Sequence, residues 1–325
     1  VLRKKIMRGK FLINNLKQKE KKEGITLVVT FSRLIFSDIF FSALSKMKLP
    51  RKDMHLLVYD NSVDPSLAAS LTEHVHSVTH EFKSVRLFKS YLRGRGNIRG
   101  SGNDVFKTSK LWNIWHMWLR LFIKNGGMIH TPTFFLLEDD TIAPPDAFPK
   151  LYKTLMKDEK TAFVTGISTG RAPAPWVPVG LGVHYMKMKG LFCLERHSLN
   201  PNTKGIVEVD GSGVYCFVAR TEAYKKGFIG YDPIKLNVPF FALDNIMIYN
   251  LKTKGYKILA DFSIWVSHLQ ASAARIIAFG KNQAVEMYTI WLPQINNYAQ
   301  GMEVKDKNHK PKRYHVRKFA ETWEL

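Results

Sequence analysis

The sequence predicts an α/β fold: a mostly parallel sheet flanked by helices, with basic extensions at both ends. Three observations lead there. Short apolar runs rich in β-branched and aromatic residues alternate with stretches of helical periodicity, and strands separated by helices pair in parallel. Several of these runs stop abruptly in polar clusters, at Thr30–Arg33, Asp60–Ser62 and Glu138–Asp140, as expected at the ligand-binding carboxyl edge of such a sheet. A chain of 325 residues, 45% of them apolar, has ample material for a core on both faces of a sheet.

Taken in order, Ile25 to Thr30 after Gly24 reads as the first strand and Asp38 to Lys46 as a helix. Met54 to Tyr59 is the second strand, ending in Asp60-Asn61-Ser62, three residues suited to a turn. Pro65 to His74 is helical and Ser84 to Phe88 a third strand. A Gly- and Arg-rich loop covers Arg93 to Asn103. A helix follows over about Phe106 to Lys124, with Trp112, Trp115, Trp118 and Phe122 on one core-facing stripe. Thr133 to Leu137 is a fourth strand, running straight into Glu138-Asp139-Asp140. The second half is less regular. Ala162 to Thr165 is a strand before a Pro/Gly-rich loop from Gly166 to Gly182. Val207 to Asp210 leads through Gly211-Ser212-Gly213 to an apolar strand, Val214 to Ala219. Asp244 to Lys254 is a helix stopped by Gly255, and Lys257 to Ala260 a last short strand. The chain thus divides into a basic, largely helical extension (1–24), a central domain (25–270) and a segment (271–325) that starts helical and ends basic.

Charge is the unusual bulk property. Lys plus Arg number 49 against 27 acidic residues, a formal net charge of +22, which points to a polyanionic partner: nucleic acid, an anionic membrane surface or an acidic polysaccharide. The basic residues cluster. Nine Lys/Arg fall in residues 1–24, eight between Lys83 and Lys110, and seven between Lys305 and Lys318, Lys312 and Arg313 among them. The middle cluster contains Arg93-Gly94-Arg95-Gly96-Asn97-Ile98-Arg99-Gly100, where glycines admit close backbone approach and arginines fork onto phosphates. Cys193 and Cys216 make no disulfide framework and match no zinc spacing, so a reducing, cytoplasmic setting is expected. The most apolar window, Leu27 to Leu44, is broken by Arg33, Ser37 and Asp38, which argues against a membrane span. No continuous apolar stretch of the kind a signal peptide requires follows the basic start.

The chemistry centres on the acidic triplet. Three carboxylates crowded at the end of a buried strand raise one another's proton affinity, and a hard divalent cation resolves the conflict, since Mg²⁺ or Mn²⁺ takes one or two carboxylates plus phosphate oxygens. The bland alternative is an acidic helix start. The ordered set of a first strand, an Asp-bearing turn after the second, a basic Gly/Asn loop and helix, and an apolar strand ending in Asp-Asp resembles the GT-A nucleotide-sugar glycosyltransferases, over about Ile25 to Leu269. That resemblance implies Mn²⁺ or Mg²⁺ bridging the diphosphate of a sugar donor, with a donor half at about 25–140 and an acceptor half at about 141–270. It implies Asp140 as principal metal ligand, Asp139 at the donor's ribose or sugar, and Glu138 as structural support. Thr30, Phe31 and Arg33 would cradle the nucleotide, and Asp60 with Asn61 would read a uracil base, although Asp60 serves a turn equally well. Arg95 and Arg99 would meet donor phosphates. His268, in Ser267-His268-Leu269, would add a metal ligand, or else be structural. Asp244 would be the general base of an inverting transfer, or else a helix N-cap. The family pattern there is Glu-Asp, and Leu243 stands in place of the Glu. Asp210 is a rival base or a donor-sugar ligand.

A very basic chain of this architecture is similar to phage enzymes that glycosylate hydroxymethylated bases in DNA. This similarity implies a DNA acceptor in an infected host's cytoplasm, reached by flipping or deforming the duplex, with Arg93, Arg95, Arg99, Lys312 and Arg313 on the nucleic acid. An envelope polysaccharide or lipid glycosyltransferase at an anionic membrane surface is the competing enzyme. Against a non-catalytic DNA-binding protein stands the acidic triplet, which DNA phosphates would repel unless it were metal-loaded. A nucleotidyltransferase would carry a Gly-rich signature where this chain has Thr30-Phe31-Ser32-Arg33.

Overall fold

The computed structural model describes residues 24–32, 36–61, 65–89, 117–168, 183–188, 191–196, 203–228, 248, 250–272, 275–280 and 283–289. Strands β1 (Ile25–Phe31), β2 (Met54–Asp60), β3 (Ser84–Lys89) and β4 (Thr133–Glu138) lie side by side in the order β4-β1-β2-β3, all parallel. The second half begins with the short strand β5 (Thr141–Ile142) and the longer β6 (Thr161–Ser168), followed by the separate antiparallel pair β7 (Val183–Met188) and β8 (Leu191–Arg196) and the short β9 (Ile206–Glu208). The sheet continues with β10 (Cys216–Arg220), β11 (Lys257–Ser272), β12 (Arg275–Gly280) and β13 (Gln283–Thr289). β10 runs antiparallel between β4 and β6, while β6 and β11 are parallel, so β4, β1, β2, β3, β6 and β11 all point one way.

Alternation along the strands explains the layers, because successive side chains of a strand point to opposite faces. Val28, Leu57, Tyr59, Phe134, Leu136, Phe163 and Phe217 face one core, shared with helical residues 117–122 and with Ala223 and Tyr224. Leu27, Val29, Phe31, Leu56, Val58, Phe135, Leu137 and Val218 face the other. Helices α1 (Ser37–Lys46), α2 (Pro65–Val78) and α3 (Ala147–Met156) cover that second face through Phe40, Phe41, Leu44, Leu71, Val75, Phe148 and Leu151. Helix α4 (Thr221–Phe228) covers the first through Tyr224, which packs with Trp118, Phe122, Phe134 and Phe217. Each such side chain, fully buried, stabilises the fold by about 1.5–3 kcal/mol. Strands buried on both faces read as continuous apolar runs, which is why they stood out in the sequence.

The expected mostly parallel α/β architecture is what is found. Trp118 and Phe122 of the aromatic stripe are core residues; Trp112 and Trp115 lie outside the described residues. One expectation fails. The stretch after residue 271 does not begin as a helix: β11 continues to Ser272, and β12 and β13 extend the sheet as antiparallel neighbours. Ile276, Ile277, Phe279, Val285 and Tyr288 are β-branched or aromatic, and sheet pairing decides what short apolar runs leave ambiguous. The last strand is also longer than Lys257–Ala260 suggested, because it carries a bulge between Ala260 and Trp265 that breaks the sequence pattern.

Candidate metal centre

The parallel strands bring their ends to one edge. Thr30 is in register with Tyr59 and Glu138, Phe31 with Asp60, and Asp60 with Lys89. The acidic triplet therefore emerges beside the ends of β1 and β2. Asp139 is drawn toward β1: its N–H donates to the Thr30 carbonyl (3.0 Å), and its carboxylate accepts from the Ser32 N–H (2.7 Å) and the Ser32 hydroxyl (3.2 Å).

Asp140 goes elsewhere. The chain after it forms β5, whose Thr141 pairs with His268 of β11, and the Leu269 N–H donates to the Asp140 carbonyl (2.7 Å). This register brings the fully buried Asp140 side chain to His268, with Oδ2 3.3 Å from Nε2. Glu138 shares the cluster: one ligand atom each from Glu138, Asp140 and His268 lie within 4.8 Å of one another. Glu138 ends β4 and Asp139 and Asp140 form the turn after it, and this turn splits the triplet into a pair and a single. The structure groups Glu138 with Asp140 and turns Asp139 to Ser32.

The donor set fits a divalent ion. Two carboxylates with an imidazole, one carboxylate wholly buried, are mutually repulsive acids whose charge an ion offsets. The nitrogen ligand suits Mn²⁺ better than Mg²⁺, which prefers oxygen surroundings.

Tyr215, which the sequence pattern placed inside a strand, is part of the floor. Its carbonyl accepts from the Glu138 N–H (3.1 Å). Its hydroxyl donates to the Gly166 carbonyl (2.8 Å) and accepts from the Ser168 N–H (3.2 Å). Burial pushes the phenol up to about 12, so it stays protonated at neutral pH. Beneath it, Thr165 Oγ1 donates to the Cys216 carbonyl (3.0 Å), and burial pushes the Cys216 thiol up as well.

The other expected residues divide. Asp60 ends β2 as foreseen, buried, with Lys89 Nζ 3.8 Å from its carboxylate. The Asn61 N–H donates to the Phe31 carbonyl (2.7 Å), tying the exits of β1 and β2 together. Phe31 departs from its expected part as a nucleotide contact. Its ring is buried against Phe40 and Phe41, because strand alternation sends it to the helix-covered face with Leu27 and Val29. Asp210 is ion-paired with Lys252, which also lies 3.5 Å from Glu208. Desolvation works against the Lys252 charge, but these acids outweigh it and hold its pKa above the ordinary value. Arg33, Arg93, Arg95, Arg99, Asp244, Lys312 and Arg313 lie outside the described residues.

No family model matches the chain, and no curated protein matches it. Solved structures do. GalNAc-T7, crystallised with UDP, GalNAc and Mn²⁺, superposes with a TM-score of 0.50 at 14% identity, over 77% of this chain and 44% of that one. The mannosyltransferase PcManGT from Pyrobaculum calidifontis, in complex with GDP-Man and Mn²⁺, matches at 0.41 and 10% identity over 75% and 55%. S. aureus TarS matches at 0.42 and 10% over 74% and 35%. The chain thus spans less than half the length of the GalNAc-T7 structure. With that likeness beside the observed strand order, the chain has the α/β fold of the GT-A type.

Proposed function

We propose that this chain is a metal-dependent glycosyltransferase that moves a sugar from a nucleoside-diphosphate sugar, a UDP-sugar by preference, to a hydroxyl acceptor. The observation that carries the reading is the convergence of Glu138, Asp140 and His268 at the carboxyl edge of the sheet. The same fold in GalNAc-T7, solved with UDP and Mn²⁺, supports it. Mn²⁺ or Mg²⁺ held there would supply charge neutralisation for the departing diphosphate. Asp139 fastens Ser32 and so sets the start of the segment with Arg33 that, with Thr30, cradles the nucleotide. Asp60 and Asn61 read the base. Arg95 and Arg99 bind phosphate. Asp244 takes the acceptor proton as its oxygen attacks the anomeric carbon, with inversion. Asp210, bound to Lys252, is the lesser candidate for that step.

For the acceptor we infer a hydroxymethylated base in phage DNA. The net charge of +22 supports this, with Arg93, Arg95, Arg99, Lys312 and Arg313 as the phosphate contacts.

The test is donor turnover across a panel of UDP- and GDP-sugars, with Mn²⁺ or EDTA. The acceptor arms are hydroxymethylated duplex, unmodified duplex and anionic lipid vesicles. Metal-dependent turnover of a UDP-sugar, accelerated by the hydroxymethylated duplex, is the expected result. Acceleration by vesicles alone would move the acceptor to the cell envelope, and no turnover of any donor would end the reading. Asp244→Asn should cut turnover by about 10²-fold or more while UDP binding persists; unchanged turnover would pass the role to Asp210.

A further inference from the structure

Glu138 and Asp140 reach the cluster from the β4 end, but His268 comes from β11, and the two strands are not neighbours. β10 and β6 lie between them in the sheet. At Asp140 the two arms are tied directly, by the β5–β11 pairing and by the Leu269 N–H on the Asp140 carbonyl; at Glu138, on β4 itself, the path across the sheet to β11 runs through β10 and β6. Tyr215 lies on that path, between β4 and β6. The β10–β4 ladder has Cys216 opposite Leu137, and one residue further the Tyr215 carbonyl takes the Glu138 N–H. On its other side the β10–β6 ladder reaches only Phe217 opposite Thr165. Beyond that point the Tyr215 hydroxyl bonds both the Gly166 carbonyl and the Ser168 N–H, in place of the next backbone rungs. Ser168 is in turn in register with Val266, two residues before His268. The Tyr215 ring also lies beside the His268 ring, with centroids 6.5 Å apart.

We propose that Tyr215 is a positioning residue of the metal centre, spanning from Glu138 to β6 and so fixing the spacing of Glu138 from the His268 arm. The inference rests on the metal reading above. A purely structural tyrosine would need only one satisfied hydroxyl bond to repay its burial. Here one residue ties the strand that carries Glu138 to the strand that registers His268. Gly213 belongs to the same device, because a Cβ there would lie 2.8 Å from Tyr215 Cδ1 and push the ring.

The test is Mn²⁺ binding to the full chain, followed by calorimetry and by the electron paramagnetic resonance of the ion, at a temperature well below unfolding. Tyr215→Phe keeps the ring and the carbonyl and removes both hydroxyl bonds. It should weaken Mn²⁺ binding by about tenfold, the usual cost of losing a group that orients a ligand. Adding Tyr215→Phe to His268→Ala should cost little more than His268→Ala alone, because the hydroxyl acts through that arm. Gly213→Ala should weaken binding in the same direction. If Tyr215→Phe binds Mn²⁺ as tightly as the parent, or if its loss adds in full to that of His268→Ala, the proposal is overturned while the metal reading stands. A parent chain that binds no Mn²⁺ would instead overturn the metal reading, and this inference with it.

Discussion

Asp140 has no exposed surface, and beside it stand one imidazole and one further carboxylate. Without an ion, two carboxylates, Glu138 and Asp140, are brought together beside the His268 ring. This gives Asp140 a measurable signature apart from activity. The parent chain should be stabilised by Mn²⁺, with an unfolding temperature that climbs with ion concentration, because a ligand that binds only the folded state shifts the equilibrium toward it. Asp140→Ala should remain folded, lose that dependence, and lose at least about a hundredfold in sugar transfer, since metal stabilisation of a leaving group is worth several kcal/mol. An Asp140→Ala chain whose unfolding temperature still follows Mn²⁺ would remove Asp140 from the metal site. Asp139, one residue away, turns toward β1 instead, its Oδ2 accepting from the Ser32 N–H and hydroxyl.

Two elements set the geometry around this centre. β6 passes β11 so closely at Gly166 that a Cβ there would lie 2.9 Å from the Ile264 and Val266 methyls and 3.1 Å from the Ile264 carbonyl. The bulge in β11 between Ala260 and Trp265 is opposite this point. Gly166→Ala should therefore destabilise the chain by about 1–3 kcal/mol, the cost of overpacking a core, as read from urea unfolding; an unchanged midpoint would mean that the bulge yields freely. On the far side, α1 and α2 are joined by His74 Nε2 to Asp38 Oδ1 (3.0 Å), with the His74 ring stacked on Phe41. The hydrogen bond from His74 lowers the Asp38 pKa, against desolvation, which raises it. A carboxylate with a lowered folded-state pKa stabilises fully above its unfolded value of about 3.9 and loses that contribution as pH falls through the lowered value. Stability should accordingly fall more steeply below about pH 4 in the parent than in Asp38→Asn. Parallel acid-unfolding curves for the two would show the pair to be energetically silent.

At the scale of the whole molecule, charge is the dominant property. Among the described residues no helix is long and apolar enough to cross a membrane, and the net charge of +22 suits a polyanionic partner. If that polyanion is duplex DNA, affinity should fall by about 10³–10⁵ between 50 and 200 mM salt, the counterion-release signature of six to ten phosphate contacts. A filter-binding titration at several salt concentrations measures it. No duplex binding even at the lowest salt would exclude the DNA acceptor while leaving the glycosyltransferase reading intact.

Much of the parallel half of the sheet is legible in the amino-acid order. β1, β2 and β4 are buried on both faces, so they read as unbroken apolar runs, and the polar residues that stop them mark the sheet edge where Asp60 and Asp139 stand. The segments after residue 271 were not legible, because short apolar stretches carry no period that separates strand from helix until a neighbour pairs with them. By itself the sequence determined the α/β class, the acidic triplet at a strand end and the basic character of the chain. Only the tertiary structure decided how the triplet divides, that Phe31 belongs to the core, and that Tyr215 lies between two arms of one cluster. The reason is physical. His268 is 128 positions from Asp140 in the chain, and the two meet through the pairing of Thr141 with His268, a contact between distant segments that no local pattern records.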